Sequence, residues 1–419
     1  MFMLLSGIYL GFVIPKQQRA KREAAAIIAI EGSVGGELLY DYQLDGGKDN
    51  PVPRWIQAVF GEHTFATVKR ISLGKKDIAF GLAKLRGPSG DLATKLKAFR
   101  DVEVLHAGNC FVDMENLGCL SKMKKLRELR IDSANSLNSL RGLENCRQLS
   151  SLEMNNISAE SFAALGELSR LSELSISRCF HVESLDFLAS FKNLKSLSLT
   201  HTTNGIDAFC FDFELIQQNN GLRELRIGSF DELASTQVLG RFSNLESFQL
   251  EHSDYEFDLS MFAPNASTLQ KLRLRCCHGI RTLDGIESFG ELEELEINWC
   301  SGLTDLDAIA NHPKLKSLTI KNMPLDRLPR LKNLPELELL GFHKMMKVKN
   351  VDGLASLRAS KLRQLVFDDC IELADVKGLE SLLAFEAIEF KACHLVEDAD
   401  IKGMKDQFPS SEITRRDRH

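Results

Sequence analysis

Little in this chain points to catalysis. It has no G-x-S-x-G, no Gly-rich phosphate loop and no H-E-x-x-H, so the common nucleophile, nucleotide and zinc-protease arrangements are missing. No C-x-x-C occurs among its ten cysteines, and no Cys/His spacing suits a zinc site. The cysteines fall singly rather than as a disulfide framework. A decided charge is also missing. The net charge of −6 over 419 residues, with both signs mixed, argues against a general nucleic-acid binder. Long apolar runs are short too. Residues 1–14, MFMLLSGIYLGFVI, are uncharged, but as a helix they reach about 21 Å, against a hydrocarbon core of roughly 30 Å. These absences predict a non-enzymatic protein with no cofactor and no metal.

What the chain does have is a hexad, Leu-x-x-Leu-x-Leu, repeated twelve times. It begins at Leu126, Leu149, Leu171, Leu194, Leu222, Leu245, Leu269, Leu292, Leu315, Leu337, Leu362 and Phe385, at steps of 22 to 28 residues. A fixed period of this length with this hexad marks a leucine-rich repeat solenoid. In Leu292-Glu293-Glu294-Leu295-Glu296-Ile297, Leu295 and Ile297 point to one side of a short strand and the two glutamates between to the other. One such strand cannot bury its apolar side alone. Parallel stacking of many copies makes one continuous core.

After each strand, apolar residues recur at spacing three, as in Val182, Leu185, Leu188 and Phe191. That spacing suits 3₁₀ turns, whose side chains eclipse at i and i+3. The fold class expected is therefore α/β: a curved horseshoe with a parallel concave sheet and convex 3₁₀ or irregular turns. The ninth position of each unit ordinarily satisfies loop backbone, and here it holds Cys179, Cys277, Cys300, Cys370 and Cys393 among others. A buried thiol, not a disulfide, is the favoured reading of these positions, although neighbouring repeats bring such cysteines close. The step from Leu194 to Leu222 holds an insertion, whose Phe209, Phe211 and Phe213 alternate. They form either a strand or helix packed on the core or an exposed aromatic lip.

Residues 1–19 are read as a hydrophobic anchor or signal-like segment, 20–66 as an α+β cap, 67–393 as the solenoid and 394–419 as a C-terminal cap with a disordered tail. Two divergent repeats precede the twelve, one at Val68, Ile71 and Leu73, the other at Phe99, Val102 and Val104. The run Gly35-Gly36 … Tyr40-Asp41-Tyr42-Gln43 … Pro53-Arg54-Trp55 … Phe60-Gly61 … Ile71-Ser72-Leu73 resembles the leader of a bacterial family of membrane-anchored leucine-rich repeat proteins with short, SDS22-like repeats. The resemblance implies a single N-terminal transmembrane segment and a membrane-associated protein. The basic cluster Lys16, Arg19, Lys21 and Arg22 after it would keep the repeats cytoplasmic, an inference that reverses if a basic segment precedes residue 1. It brings no catalytic residues. An export signal and a buried capping element are the other readings of residues 1–14.

The expected concave surface carries Arg226, Gln249, Lys271, Arg273, Arg275, Glu294, Glu296, Asn298 and Lys321, with Trp299 and His343 at its edge. Arg and Trp are enriched at binding hot spots, so these residues form a candidate stripe for a protein partner, basic first and acidic after. A solvated face of weak ion pairs is the plainer alternative. Glu294 and Glu296 stand at a spacing a glycosidase could use, but an open solenoid gives no water-excluding pocket. The reading is a protein-interaction module, monomeric, binding a protein of unstated identity. A scaffold without a specific ligand, or a non-catalytic subunit of an enzyme complex, is the alternative.

Overall fold

The computed structural model describes Gly36–Tyr40, Val68–Leu73 and scattered residues between 15 and 43. From residue 94 to 416 it describes nearly everything, except 95, 109–114, 135, 160, 180, 181, 183, 201–209, 231, 383 and 384. The chain divides into two compact units. The first comprises Met1–Leu194 with His201–Asn204, the second Lys195–Thr200 with Gly205–His419.

In the first unit, β1 (Gly36–Tyr40) pairs antiparallel with β2 (Val68–Leu73). Then β3 (Val104–Gly108), β4 (Glu128–Ala134), β5 (Ser151–Ile157) and β6 (Glu173–Ser177) add on in parallel. The described residues from 15 to 26 are helical. Their Arg19 pairs with Glu23 (2.7 Å) and with Asp101 (2.5 Å), tying this segment to the first repeats. The second divergent repeat sits in a different register from the one expected. Val102, Leu105 and Ala107 are buried, whereas Val104 lies on the outer face. The small Ala107 in the last hexad place disguised the pattern.

In the second unit the order is β7 (Ser196–Thr200), β8 (Cys210–Asp212), β9 (Glu224–Gly228), β10 (Glu232–Ala234), β11 (Ser247–Ser253) and β12 (Lys271–Cys277). Next come β13 (Glu294–Asn298), β14 (Ser317–Lys321), β15 (Leu339–His343), β16 (Gln364–Asp368) and β17 (Ala387–Lys391). Helix α1 (Asp398–Gln407) and β18 (Glu412–Arg416) finish the unit. All but β8 and β10 form one parallel sheet. Register is unbroken: Phe248, Leu272, Leu295, Leu318, Leu340, Leu365 and Ile388 oppose one another strand by strand. Each is at most 1% exposed. Burial of one such side chain contributes about 1.5–3 kcal/mol. The phenylalanines Phe342, Phe367 and Phe390 stack in the next column at 5.5 and 5.4 Å.

The returning half of each repeat runs through short 3₁₀ helices, among them Asp186–Ser190 and Leu259–Asn265. Strands β8 and β10 pair in a small second sheet. There Phe211 and Phe213 are fully buried and pack on each other at 5.1 Å, so they belong to the core. Phe209 lies outside the described residues.

Two expectations are corrected. Among the described residues no helix is long and apolar enough to cross a membrane, which overturns the single N-terminal anchor and the membrane-associated placement. Residues 1–14 themselves lie outside the described residues, and their run falls short of the ~20 apolar residues a spanning helix needs. The tail is not disordered through residue 416, because Ile413 is buried and β18 pairs with β17.

Candidate functional site

Strands β9 and β11–β15 present their alternate residues on the outer face of the sheet. Arg226 lies on β9, Gln249 on β11, Lys271, Arg273 and Arg275 on β12, Glu294, Glu296 and Asn298 on β13, Lys321 on β14 and His343 on β15. Parallel register sets Gln249 beside Arg226 and Arg273, and Arg273 beside Glu296. Strand spacing of about 4.8 Å is within reach of these long side chains.

The result is a closed set of ion pairs rather than a basic stripe followed by an acidic one. Arg226 donates to both oxygens of Glu251, at 3.0 and 3.1 Å. Arg275 lies 3.5 Å from Glu251 and donates to Glu296 at 3.0 Å. Arg273 donates to Glu294 at 3.1 Å, Lys271 pairs with Glu294 at 2.8 Å, and Lys321 with Glu296 at 3.5 Å. Gln249 donates to Glu251 through a short hydrogen bond. Burial would push the Glu296 carboxyl up, but the hydrogen bond and charge of Arg275, with Lys321 behind it, hold it below its usual range. Glu296 in turn holds Arg275 above its own.

Glu251 is the residue the sequence reading missed. It is the least exposed member of the network, at 6% of its side chain, and it touches three of the others. The signal was present: Glu251 stands two residues after Gln249 and so shares its face.

His343 stands apart. It bonds Asp368 on β16 at 3.3 Å. Burial, together with Lys321 and Lys391, keeps its ring below the ordinary histidine range, against the pull of Asp368. Trp299 lies just past β13 and is 58% exposed. Its backbone N–H donates to the Lys321 carbonyl at 2.9 Å, and its ring meets His278 edge-on at 6.0 Å. His278 is fixed by Ser301, whose backbone N–H donates to Nδ1 at 3.3 Å.

Trp299 also has φ of 53°. Among the described residues it is one of eleven at the same place in their repeats, from Ser133 to Ala392, that adopt this left-handed conformation. Ser229, Trp299, Asn322, Lys344, Asp369 and Ala392 each send their N–H to a carbonyl of the next repeat at 2.7–2.9 Å. Glycine is not needed to mark this bend, because the interrepeat hydrogen bond enforces it.

The cysteines of the ninth position are buried in this structure, and the nine described cysteines are free thiols. The neighbouring Cys300 thiol and burial push the Cys277 thiol up. Each donates to a carbonyl of the preceding repeat, Cys277 to Leu250 at 3.4 Å and Cys300 to Leu274 at 3.6 Å. Among the described residues no group of three or more His, Cys, Asp or Glu could hold a metal ion.

No family model and no curated protein matches this sequence. Among solved structures, a leucine-rich repeat protein of Leptospira interrogans is similar, with a TM-score of 0.51 and 15% identity, over 79% of this chain and 87% of that one. The fold is a leucine-rich repeat solenoid. An internalin of Listeria monocytogenes gives a TM-score of 0.46 at 15% identity, over 72% of this chain and 78% of that one. A second Listeria internalin, C2, gives 0.38 at 18% identity, over 48% and 83%.

Proposed function

We propose that this chain is a non-enzymatic protein-interaction module that takes a protein partner on the outer sheet face of β9 and β11–β15. The observation that carries this reading is the combination on one rigid face of an ordered charged network and, at its rim, an indole that the fold leaves exposed. Residues on strands are held more firmly than residues on loops, which favours preorganised binding. Residues 20–66 and 394–419 serve as caps on the two ends of the repeat array in this reading.

A second reading, a scaffold without a specific ligand, draws support from the ion pairs themselves. Side chains that satisfy one another need no partner. The two readings separate on Arg273→Glu. A binder loses its saturably bound protein with this variant and keeps it with Lys332→Glu on the returning half. Equal retention by both variants in a quantitative pulldown with the purified partner sinks the binding face.

A further inference from the structure

The charged network holds more cations than carboxylates, and its cations reach solvent. Five cations, Arg226, Lys271, Arg273, Arg275 and Lys321, surround three carboxylates. The cations stand out, between 32% and 45% exposed. Of the carboxylates, Glu251 is 6% and Glu296 14% exposed, and only Glu294 reaches 35%. What meets solvent is therefore mainly guanidinium and ammonium groups, with Glu294 among them, over a floor formed by Glu251 and Glu296. Five against three leaves a surplus of two positive charges. The next carboxylate along the face, Glu224, is held by the Ser196 hydroxyl at 3.1 Å. Donors also remain in hand, because a guanidinium offers five N–H groups in all.

We infer that this face binds an acidic segment of a protein, about two of whose carboxylates share the guanidinium and ammonium donors of β9, β12 and β14 while an apolar side chain rests on Trp299. The inference rests on the proposed interaction face and adds the chemistry of what it takes. A surplus of two charges is matched by two carboxylates. It does not match the dense phosphates of a nucleic acid, which need many unpaired Lys and Arg side chains. The floor of carboxylates holds the donors in place before binding, so their ordering does not have to occur at that moment. Trp299 supplies the apolar contact that charge pairs alone lack, since exposed pairs contribute little each.

The test pans a random-peptide library on the full-length chain. Recovered binders are expected to be rich in Asp and Glu with an aromatic or large aliphatic residue between them. Their affinity should fall about tenfold between about 50 and about 200 mM NaCl. Lys271→Gln combined with Lys321→Gln, which removes the surplus, should weaken them about tenfold or more. Trp299→Gly should also weaken them with unchanged salt dependence, because glycine suits the left-handed site and leaves the charges alone. Unaltered thermal unfolding of each variant certifies the fold. Binders without acidic enrichment that still lose affinity on Trp299→Gly overturn the acidic partner and leave the face standing. Binders indifferent to all three substitutions, or a library with no saturable binder, overturn the face as well.

Discussion

At the scale of the residue, the recurring left-handed position is the feature that composition hides. Ser, Asn, Arg, His, Cys, Trp, Lys, Asp and Ala all occupy it, although a left-handed L-residue costs roughly 1–2 kcal/mol. The strand β17 offers a matched pair for measuring this. Ala392 has φ of 51°, while Ala387 lies in the strand itself. Ala392→Gly is expected to raise stability by up to about 1 kcal/mol, and Ala387→Gly to lower it by about 0.5–1 kcal/mol. Urea midpoints of the two variants decide the matter. A loss from Ala392→Gly as large as that from Ala387→Gly would falsify the strain.

At the scale of the element, each repeat returns tightly against its predecessor, and glycine marks the closest approach. A Cβ on Gly279 would lie 2.0 Å from the Tyr255 carbonyl oxygen, and one on Gly302 2.4 Å from that of His278. Gly290, on the same side of its repeat as the 3₁₀ turn, has nothing within 4 Å. Gly279→Ala should therefore destabilise by several kcal/mol through overpacking against backbone, which cannot yield as a side chain can. Gly290→Ala should lie within about 0.5 kcal/mol of the parent. Equal denaturation midpoints for the two would mean that the stack opens easily at Tyr255.

At the scale of the whole molecule, stability in a repeat array is close to a sum of neighbour contacts, so the ends matter. In the second unit, α1 buries Ile401 and Met404, Phe408 packs on Phe385 at 4.6 Å, and β18 pairs along β17. A chain ending after Val396 is expected to associate in light scattering and to unfold at lower temperature, because it bares the edge of β17. A monodisperse product with the parent melting temperature would remove the capping role. Acid should loosen this unit as well. His312 is 2% exposed and its Nε2 has no hydrogen-bond partner. Burial sets its ring below the ordinary histidine value of 6.5, against the nearby Glu287 charge and the Phe289 backbone. Above that value neither folded nor unfolded chain holds the proton. Below it the unfolded chain takes up a proton that the folded chain resists, so stability falls. His312→Phe should flatten the difference between urea midpoints at about pH 7.5 and about pH 5.5. An undiminished difference would assign the acid sensitivity elsewhere.

The repeat, its register and the identity of nearly every core side chain were legible in the one-dimensional pattern. Alternation along a strand and a fixed step between strands leave only one way to bury Leu272, Leu295 and Leu318 together. The weak repeat at Val102 was misregistered because Ala107 carries too little apolar signal to mark its place. The outer face was legible as a set of residues and as a field of cross-strand ion pairs, Arg273 with Glu296 among them, but not as a network. Which cation meets which carboxylate depends on side chains from five strands, β9 and β11–β14, and the choice among neighbours within an Arg's reach is invisible in linear order. Glu251 became central only when Arg226 and Arg275 closed on it from either side. The left-handed bend that holds Trp299 outward belongs to the same class. It arises from a hydrogen bond to the next repeat, a contact between residues more than twenty positions apart, and only the folded stack brings them together.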